Sequence, residues 1–288
     1  MTDREVRLPD GMVISYLDAG APDGEVVLYF HGTPSSRMQA AGVVDTAAAR
    51  LGLRVIAPDR PGCGGSSFVP YRVAGYAAIV ARFADCLGIG EFGVIGTSGG
   101  GRYALSCGSA LAGRVRRVAA VSSTAPSDVP GVRQTWSRQD RWLYTIAARA
   151  PWILRAWMAK TARDLRRDPG RMLKLLPQMS PADERAVQRA DVRGVIQAMS
   201  TEAFRQAGRG AAHDLRLEAL PWGVSLESIT VPVDVWHGRD DTIVRCEQAE
   251  ILAAAIPGAR RHFLVGHGHF SLVFTQAASY LEPFRAAA

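Results

Sequence analysis

The sequence has no apolar run long enough for a membrane-spanning helix. Nowhere in its 288 residues does a segment approach the ~18 consecutive apolar residues that a membrane span needs. The first residues, MTDREVRLPDGMVIS, also lack the apolar core of a secretory signal peptide. We therefore expect a cytoplasmic protein with no membrane partner.

Cysteine and histidine are scarce. The four cysteines are Cys63, Cys86, Cys107 and Cys246. They lie far apart with no C-x-x-C pair, which is typical of reduced thiols and not of a disulfide framework or a zinc site. Of the six histidines, His267 and His269 stand close together, but no further ligand cluster with suitable spacing accompanies them. We expect no metal and no cofactor.

Acidic residues are in short supply in one segment only. The formal net charge is +7, and residues 125–218 contain 17 Lys and Arg against 10 Asp and Glu, whereas the rest of the chain has 17 of each. Within this segment the arginines stand among acidic residues, as in SPADERAVQRADVR, a pattern typical of solvated helix faces. We therefore expect no nucleic-acid partner.

The sequence does contain a regular alternation of strand and helix patterns. Eight short apolar, β-branched runs predict strands, namely EVRL, MVISYLDAG, EVVLYFHG, LRVIAPD, FGVIGTSGG, VRRVAAVSS, VPVDVWHG and RRHFLV. Patterns with apolar residues three and four positions apart lie between most of these runs and predict helices. This order indicates an α/β fold with a mostly parallel eight-stranded sheet that helices cover on both faces.

The alternation stops between residues 125 and 220. This stretch is helical in composition, with breaks at DPG and SPAD, so we predict an all-helical insertion into a core formed by residues 1–124 and 221–288. Because ligands bind at the carboxyl ends of the strands in such folds, we expect the insertion to act as a lid over those ends. Four tryptophans of the insertion are candidates for lining an apolar substrate pocket: Trp136, Trp142, Trp152 and Trp157.

The motif GTSGG lies where a strand pattern meets a helix pattern. A serine in G-x-S-x-G at such a turn is held in a strained backbone conformation, which raises its hydroxyl above the edge of the sheet. A glycine-rich turn of this kind also occurs for purely steric reasons. The setting between strand and helix makes Ser98 the candidate nucleophile.

A nucleophilic serine needs a base, and the base needs an orienting acid. The segment HGRDDTIV follows a predicted strand and supplies Asp240 and Asp241. The segment GHGHF follows the last predicted strand and supplies His267 and His269. Serine, acid and histidine, each after a strand and in this order, are the arrangement of an α/β-hydrolase triad.

With these segments the chain resembles the α/β-hydrolase superfamily, specifically the serine-nucleophile hydrolases with a helical lid. The resemblance runs from about Glu5 to the final helix and rests on the motifs HGTP, DRPGCGGS, GTSGG, WHGRDDTIV and GHF. It implies Asp241 as the acid and His269 as the base. Asp128 is the alternative position for the acid, and His267 is the base if the register is shifted by two residues.

The resemblance also implies an oxyanion hole and an activity. The backbone N–H groups of Thr33 and Gly99 would stabilise the oxyanion that forms when Ser98 attacks a carbonyl group. The implied enzyme is a carboxylesterase-like serine hydrolase, monomeric or homodimeric. It would cleave a small ester, thioester, lactone or amide, and the Trp- and Leu-rich insertion favours an apolar acyl or aromatic group. Other triad chemistries remain open, namely C–C bond hydrolysis, perhydrolysis and cofactor-free dioxygenation, as does a ligand receptor without turnover.

Overall fold

The computed structural model describes residues 1–168, 170–175 and 178–285. In this part of the chain the predicted eight-stranded, mostly parallel sheet is confirmed. The strands are β1 (Thr2–Arg7), β2 (Val13–Gly20), β3 (Glu25–Phe30), β4 (Leu53–Pro58), β5 (Phe92–Thr97), β6 (Val115–Val121), β7 (Val233–Gly238) and β8 (Arg260–Leu264). The α-helices are α1 (Val43–Leu51), α2 (Tyr76–Cys86), α3 (Gly101–Ala110), α4 (Arg138–Arg149), α5 (Pro151–Arg167), α6 (Arg171–Leu175), α7 (Pro181–Gln188), α8 (Ala190–Ala203), α9 (Arg209–Ala219), α10 (Cys246–Ala255), α11 (His269–Thr275) and α12 (Ala277–Leu281).

The sheet brings the ends of distant chain segments to one edge. Its strand order is β1-β2-β4-β3-β5-β6-β7-β8. Strand β2 runs antiparallel to both β1 and β4, whereas the other neighbouring pairs are parallel. The carboxyl ends of β3 to β8 therefore lie along the same edge, and β5, whose six residues are all buried, stands near the middle.

Apolar side chains form one cluster on each face of the sheet. One cluster includes Phe83 of α2 and Leu252 of α10. The other includes Val44 of α1, Phe274 of α11 and Leu154 of α5. Helices of the insertion therefore bury their apolar faces in a cluster that they share with the core.

Between β6 and β7 the described chain contains helices α4 to α9 and no strand. One of the predicted breaks is the start of α7, where the side chain of Ser180 accepts the N–H of Asp183 and Pro181 occupies the first turn. The other follows α5, and its Pro169 lies outside the described residues. The limits of 125 and 220 for the insertion stay a prediction.

In two segments the apolar spacing typical of a helix continues across residues that are not helical in the structure. The pattern over residues 36–52 gives a short 3-10 helix, Arg37–Ala40, and then α1, because Gly42 between them has a left-handed φ of 68°. The closing pattern is divided into α11 and α12 at Gln276, whose φ of −111° is not helical. Among the described residues, none of the helices combines the length and hydrophobicity that crossing a membrane requires.

Candidate active site

Ser98 occupies the turn between β5 and α3 in a conformation that few side chains adopt. Its φ of 51° lies in the left-handed region, and its side chain is only half-buried. A Cβ atom at Gly96 would overlap the carbonyl group of Gly100, and one at Gly100 would overlap the carbonyl oxygen of Phe30. The two glycines are therefore needed for the tight packing of this turn, which presents Ser98 at the carboxyl end of the central strand.

Asp241 and His269 form a buried hydrogen-bonded pair. The Nδ1 atom of His269, at the start of α11, lies 2.8 Å from Oδ2 of Asp241 in the loop after β7. The other carboxylate oxygen, Oδ1, accepts the backbone N–H groups of Ile243 and Val244 at 2.9 and 2.8 Å. Each residue of the pair is only 5% exposed. Both oxygens of Asp241 are thus occupied, and the carboxylate has a fixed orientation toward the imidazole.

The charges of this pair stabilise each other. Burial alone raises the pKa of Asp241, but the charge of His269 and hydrogen bonds from His237 and His269 hold this pKa well below its usual range. Burial alone lowers the pKa of His269, but Asp241 outweighs it, together with the carboxylates of Asp183 and Glu218, and the pKa is raised above 6.5. An ionised carboxylate that favours an imidazolium is what an orienting acid must supply.

The structure does not join Ser98 to His269 by a hydrogen bond. Within the described residues, Nε2 of the His269 ring has no hydrogen-bond partner, whereas Nδ1 is held by Asp241. Such bonds are often long in an enzyme without substrate and shorten when substrate is bound. The free nitrogen is therefore available to accept a proton.

The alternative candidates, His267 for the base and Asp128 for the acid, have different surroundings. The ring of His267 lies 3.0 Å from the side-chain nitrogen of Gln276 and 3.2 Å from the carbonyl oxygen of Val265. Asp128 is solvent-exposed. Neither side chain has a hydrogen bond to His269 in the described part of the chain.

Thr33 and Gly99 lie side by side, because a Cβ atom at Gly99 would be 2.6 Å from Oγ1 of Thr33. The loop that carries Thr33 is held by the guanidinium group of Arg60. This group donates hydrogen bonds to the carbonyl oxygens of His31 and Gly32, the latter at 2.7 Å, and to Oγ1 of Thr33 at 3.1 Å. The candidate oxyanion loop is thus held by a fully buried charged side chain.

Arg60 is in turn paired with Asp214, which lies on α9 in the insertion. The two side chains are 0% and 2% exposed, and Nη2 of Arg60 lies 2.7 Å from Oδ2 of Asp214. The hydroxyl groups of Tyr71 and Tyr103 donate to Oδ1 of Asp214 at 2.7 and 2.8 Å. Burial alone raises the pKa of Asp214, but the charges of Arg60 and Arg102 hold it well below its usual range. The insertion therefore reaches the candidate oxyanion loop through a charged network.

A second carboxylate of the insertion reaches the histidine. Asp183, on α7, is 0% exposed. Its Oδ2 accepts the backbone N–H of His269 at 2.8 Å. Its Oδ1 accepts both the N–H and the hydroxyl group of Ser271, at 2.7 and 2.8 Å. Sequence reasoning did not find Asp183, Asp214 or Arg60, because Asp183 is an ordinary residue of a helix start and Arg60 belongs to a glycine-rich loop that appeared structural.

The candidate tryptophans lie mostly at the surface. Trp142, Trp152 and Trp157 are 58%, 68% and 43% exposed. The rings of Trp142 and Trp157 meet edge to face at 6.1 Å between centroids. Trp136 is half-buried and packs against Tyr144 at 4.7 Å. Among these four residues Trp136 is the least accessible to solvent.

Metal-binding side chains do not gather anywhere in the described ranges. Residues 1–168, 170–175 and 178–285 contain no group of three or more His, Cys, Asp or Glu residues that could hold a metal ion.

The match to a known family covers nearly the whole chain. A family model described as alpha/beta hydrolase fold matches residues 25–275. The chain belongs to the alpha/beta hydrolase family. It is accordingly a hydrolase. The poly(3-hydroxyalkanoate) depolymerase of Ectopseudomonas oleovorans is 26% identical to this alpha/beta hydrolase over 280 residues, which are 94% of this chain and 87% of that protein.

Solved structures show the same fold. The enol-lactonase from Burkholderia xenovorans LB400 matches with a TM-score of 0.71 and 21% identity, over 98% of this chain and 99% of that one. The esterase RhEst1 from Rhodococcus sp. ECU1013 matches with a TM-score of 0.68 and 20% identity, over 99% and 98% of the two chains. At such identities the similarity establishes the fold of this alpha/beta hydrolase and not its substrate.

Proposed function

We propose that this alpha/beta hydrolase is a serine hydrolase that cleaves a small carboxylic ester, thioester, lactone or amide through an acyl-enzyme. The observation that carries the proposal is the buried pair of Asp241 and His269, 2.8 Å apart at the same sheet edge as the strained Ser98. Burying a charged carboxylate beside an imidazole costs free energy, and groups with such perturbed pKa values are concentrated at functional sites, where this pair would activate Ser98.

The proposed reaction has two halves. His269 takes the proton of Ser98 through Nε2 while Oγ attacks the carbonyl carbon, and Asp241 stabilises the resulting imidazolium. The backbone N–H groups of Thr33 and Gly99 bind the oxyanion. The imidazolium then protonates the leaving group, which departs and leaves the acyl group on Ser98. Water attacks this ester with His269 as base, the acid is released, and the serine recovers its proton.

Esters and lactones are the favoured substrates within this class. The named relatives are a poly(3-hydroxyalkanoate) depolymerase, an enol-lactonase and an esterase. A polyhydroxyalkanoate is a polyester and a lactone is a cyclic ester, so all three names concern the same bond type. An apolar acyl or aromatic group, with Trp136 as the least exposed of the four candidate tryptophans, completes the substrate proposal. The cytoplasmic location and the monomeric or homodimeric state stay predictions.

The decisive experiment combines labelling with substitution of Ser98. A serine-directed phosphonate should label the wild type stoichiometrically at Ser98. Ser98→Ala should reduce turnover of p-nitrophenyl esters by about 10³-fold or more, because the nucleophile is gone. The melting temperature should stay near that of the wild type, since the half-buried hydroxyl fills no core space. A series of p-nitrophenyl and thioester substrates of graded acyl length then identifies the preferred group.

Two outcomes would contradict the proposal in different ways. Full turnover by Ser98→Ala would mean that His269 acts directly on the substrate, as in a cofactor-free dioxygenase. A folded wild type that the phosphonate does not label and that turns over no ester would indicate a ligand receptor of this fold.

A further inference from the structure

His269 is held at both ends by carboxylates from different parts of the chain. Its ring nitrogen Nδ1 lies 2.8 Å from Asp241 of the core. Its backbone N–H donates at 2.8 Å to Asp183 of the insertion. Asp241 sets the direction of the imidazole, whereas Asp183 sets the position of the backbone from which the imidazole extends.

The contact with Asp183 is specific and fully enclosed. The carboxylate is 0% exposed and accepts three hydrogen bonds, from the N–H of His269 and from the N–H and hydroxyl of Ser271. Among the described residues no lysine or arginine forms an ion pair with it. A buried carboxylate without a basic partner depends on such hydrogen bonds for its stability. The three donors and Asp183 therefore form one hydrogen-bonded unit, in which each donor offsets part of the cost of burying the carboxylate.

Gly268 makes this unit possible. A Cβ atom at Gly268 would overlap Oδ2 of Asp183 and Oγ of Ser180, the residue that caps α7. The glycine before His269 in GHGHF thus leaves the space into which the insertion places its carboxylate. The N–H of Gly268 itself donates to Oγ of Ser271 at 2.8 Å.

We propose that Asp183 is a positioning residue for His269, so that the helical insertion completes the catalytic apparatus in addition to covering it. This inference rests on the proposed role of His269 as base. Asp183 does not touch substrate or the reacting atoms. It acts by fixing the first turn of α11, and a displacement of about 1 Å at a catalytic group can cost about 10²-fold in rate.

The charge of Asp183 provides a second test of the proposal, through the pH dependence of activity. Three carboxylates raise the pKa of His269 against the effect of burial, namely Asp241 of the core and Asp183 and Glu218 of the insertion. The general base works only when neutral, so activity falls on the acidic side of this pKa. Removal of the charge at residue 183 lowers the pKa of His269 and moves the acidic limb of kcat/KM to lower pH.

The test uses Asp183→Asn in the full chain, with Asp191→Asn as the matched control. Asparagine keeps the shape, but one oxygen becomes an NH₂ group that cannot accept a hydrogen bond, so either His269 or Ser271 loses its partner. Asp191 is also an aspartate of the insertion, exposed and paired with Arg189, and its substitution removes the same charge at the surface.

The measurements are kcat, KM and the pH dependence of kcat/KM for one p-nitrophenyl ester. The value of kcat is calculated per active site, with the active sites counted by phosphonate labelling. For Asp183→Asn we expect kcat to fall by about 10- to 100-fold, with KM within about threefold of the wild type and the acidic limb at lower pH. Asp191→Asn should match the wild type in all three. A purely structural role would reduce the number of active sites and leave kcat per site and the pH limb unchanged, and that result would overturn the proposal.

If Asp183→Asn does not fold, the proposal is tested with Ser271→Ala. It removes one donor to Asp183 and the acceptor of the Gly268 N–H, and it keeps the bond from His269 to Asp183. We expect kcat to fall at least threefold at unchanged KM, and an unchanged kcat would overturn the proposal. Failure of the underlying function is distinguishable, because it would appear in the wild type as absent phosphonate labelling, before any variant is compared.

Discussion

His267 and His269 are two residues apart, yet their side chains have entirely different surroundings. His269 is 5% exposed, and its ring bonds to the buried Asp241. His267 is half-buried and its ring bonds to Gln276 and to the backbone of Val265. A base must reach the nucleophile and its orienting acid together, and in this loop His269 alone of the two bonds to Asp241.

We therefore predict that His269→Ala lowers kcat by several orders of magnitude, because it leaves the serine without a base. His267→Ala should lower kcat by at most about tenfold, equivalent to about 1.4 kcal/mol, through loss of its contact with Gln276. Both variants should be measured on one p-nitrophenyl ester at the same pH. An inactive His267→Ala beside an active His269→Ala would reverse the assignment.

Site residues that stand in motifs with a defined local backbone could be predicted from the sequence. Ser98, Asp241 and His269 stand in short motifs in which glycines and strand ends have recognisable positions. The turn motif indicated Ser98, and the family resemblance that the other motifs carry implied Asp241 and His269. Asp183 and Asp214 carry no such mark, because a single aspartate on an amphipathic helix is ordinary. Their partners lie 86 and 154 residues away along the chain, and only the folded chain brings them together.

At the scale of elements, helix α9 is fixed to the candidate oxyanion loop by a buried ion pair. Asp214 and Arg60 are both inaccessible to solvent, and Tyr71 and Tyr103 occupy the remaining carboxylate oxygen. Removing one partner of a buried pair leaves the other charge without compensation, which is far more costly than losing an exposed pair.

Asp214→Ala should accordingly lower the free energy of unfolding by about 3–5 kcal/mol near neutral pH, as measured by urea denaturation. The pKa of Asp214 is depressed in the folded state, so its stabilising contribution is present above the unfolded pKa of about 3.9 and is lost as the pH falls through the folded value. The difference between variant and wild type should therefore shrink below about pH 4.

The control is Asp164→Ala, which removes surface ion pairs with Lys160 and Arg171 and should change the urea midpoint little. Equal midpoints for Asp214→Ala and Asp164→Ala at pH 7 would show that α9 is not anchored by this pair.

The spacing of apolar residues predicts that strands and helices are present, but not where each helix is interrupted. Eight strand patterns gave eight strands. In β2 to β7 the apolar runs reflect burial in the sheet, whereas β1 and β8 at its two edges contain no fully buried residue. The interruptions at Gly42 and Gln276 could not be predicted, because the apolar spacing continues across both positions while the backbone does not remain helical. Periodicity records which side chains are buried and says little about where a helix is broken.

The whole molecule distributes its charge unevenly. The insertion holds the entire basic surplus. Several of its acidic side chains also pair inward with arginines of the core, as in Glu202 with Arg37 and Glu218 with Arg102. Most arginines of the insertion are solvent-exposed, and salt screens their field within about 10 Å at 0.1 M ionic strength.

We predict that turnover of a neutral ester varies little between 50 and 500 mM salt, and that binding to duplex DNA is undetectable at physiological ionic strength. A functional polyanion site would lose affinity steeply with salt, because each phosphate contact releases a counterion. Fluorescence anisotropy with labelled DNA measures this directly. A binding constant that falls linearly in a log-log plot against salt would refute the prediction.

The inward pairing of the insertion with the core has a consequence for protein engineering. Asp183, Asp214 and Glu218 belong to the insertion, but the groups that they bind belong to the core. A chimera that takes its insertion from another member of the family would separate these partners and leave buried core groups unmatched. An exchange of the insertion to change specificity must therefore keep carboxylates at the positions of Asp183, Asp214 and Glu218. Otherwise the core groups that these carboxylates bind, such as His269 and Arg60, must be redesigned as well.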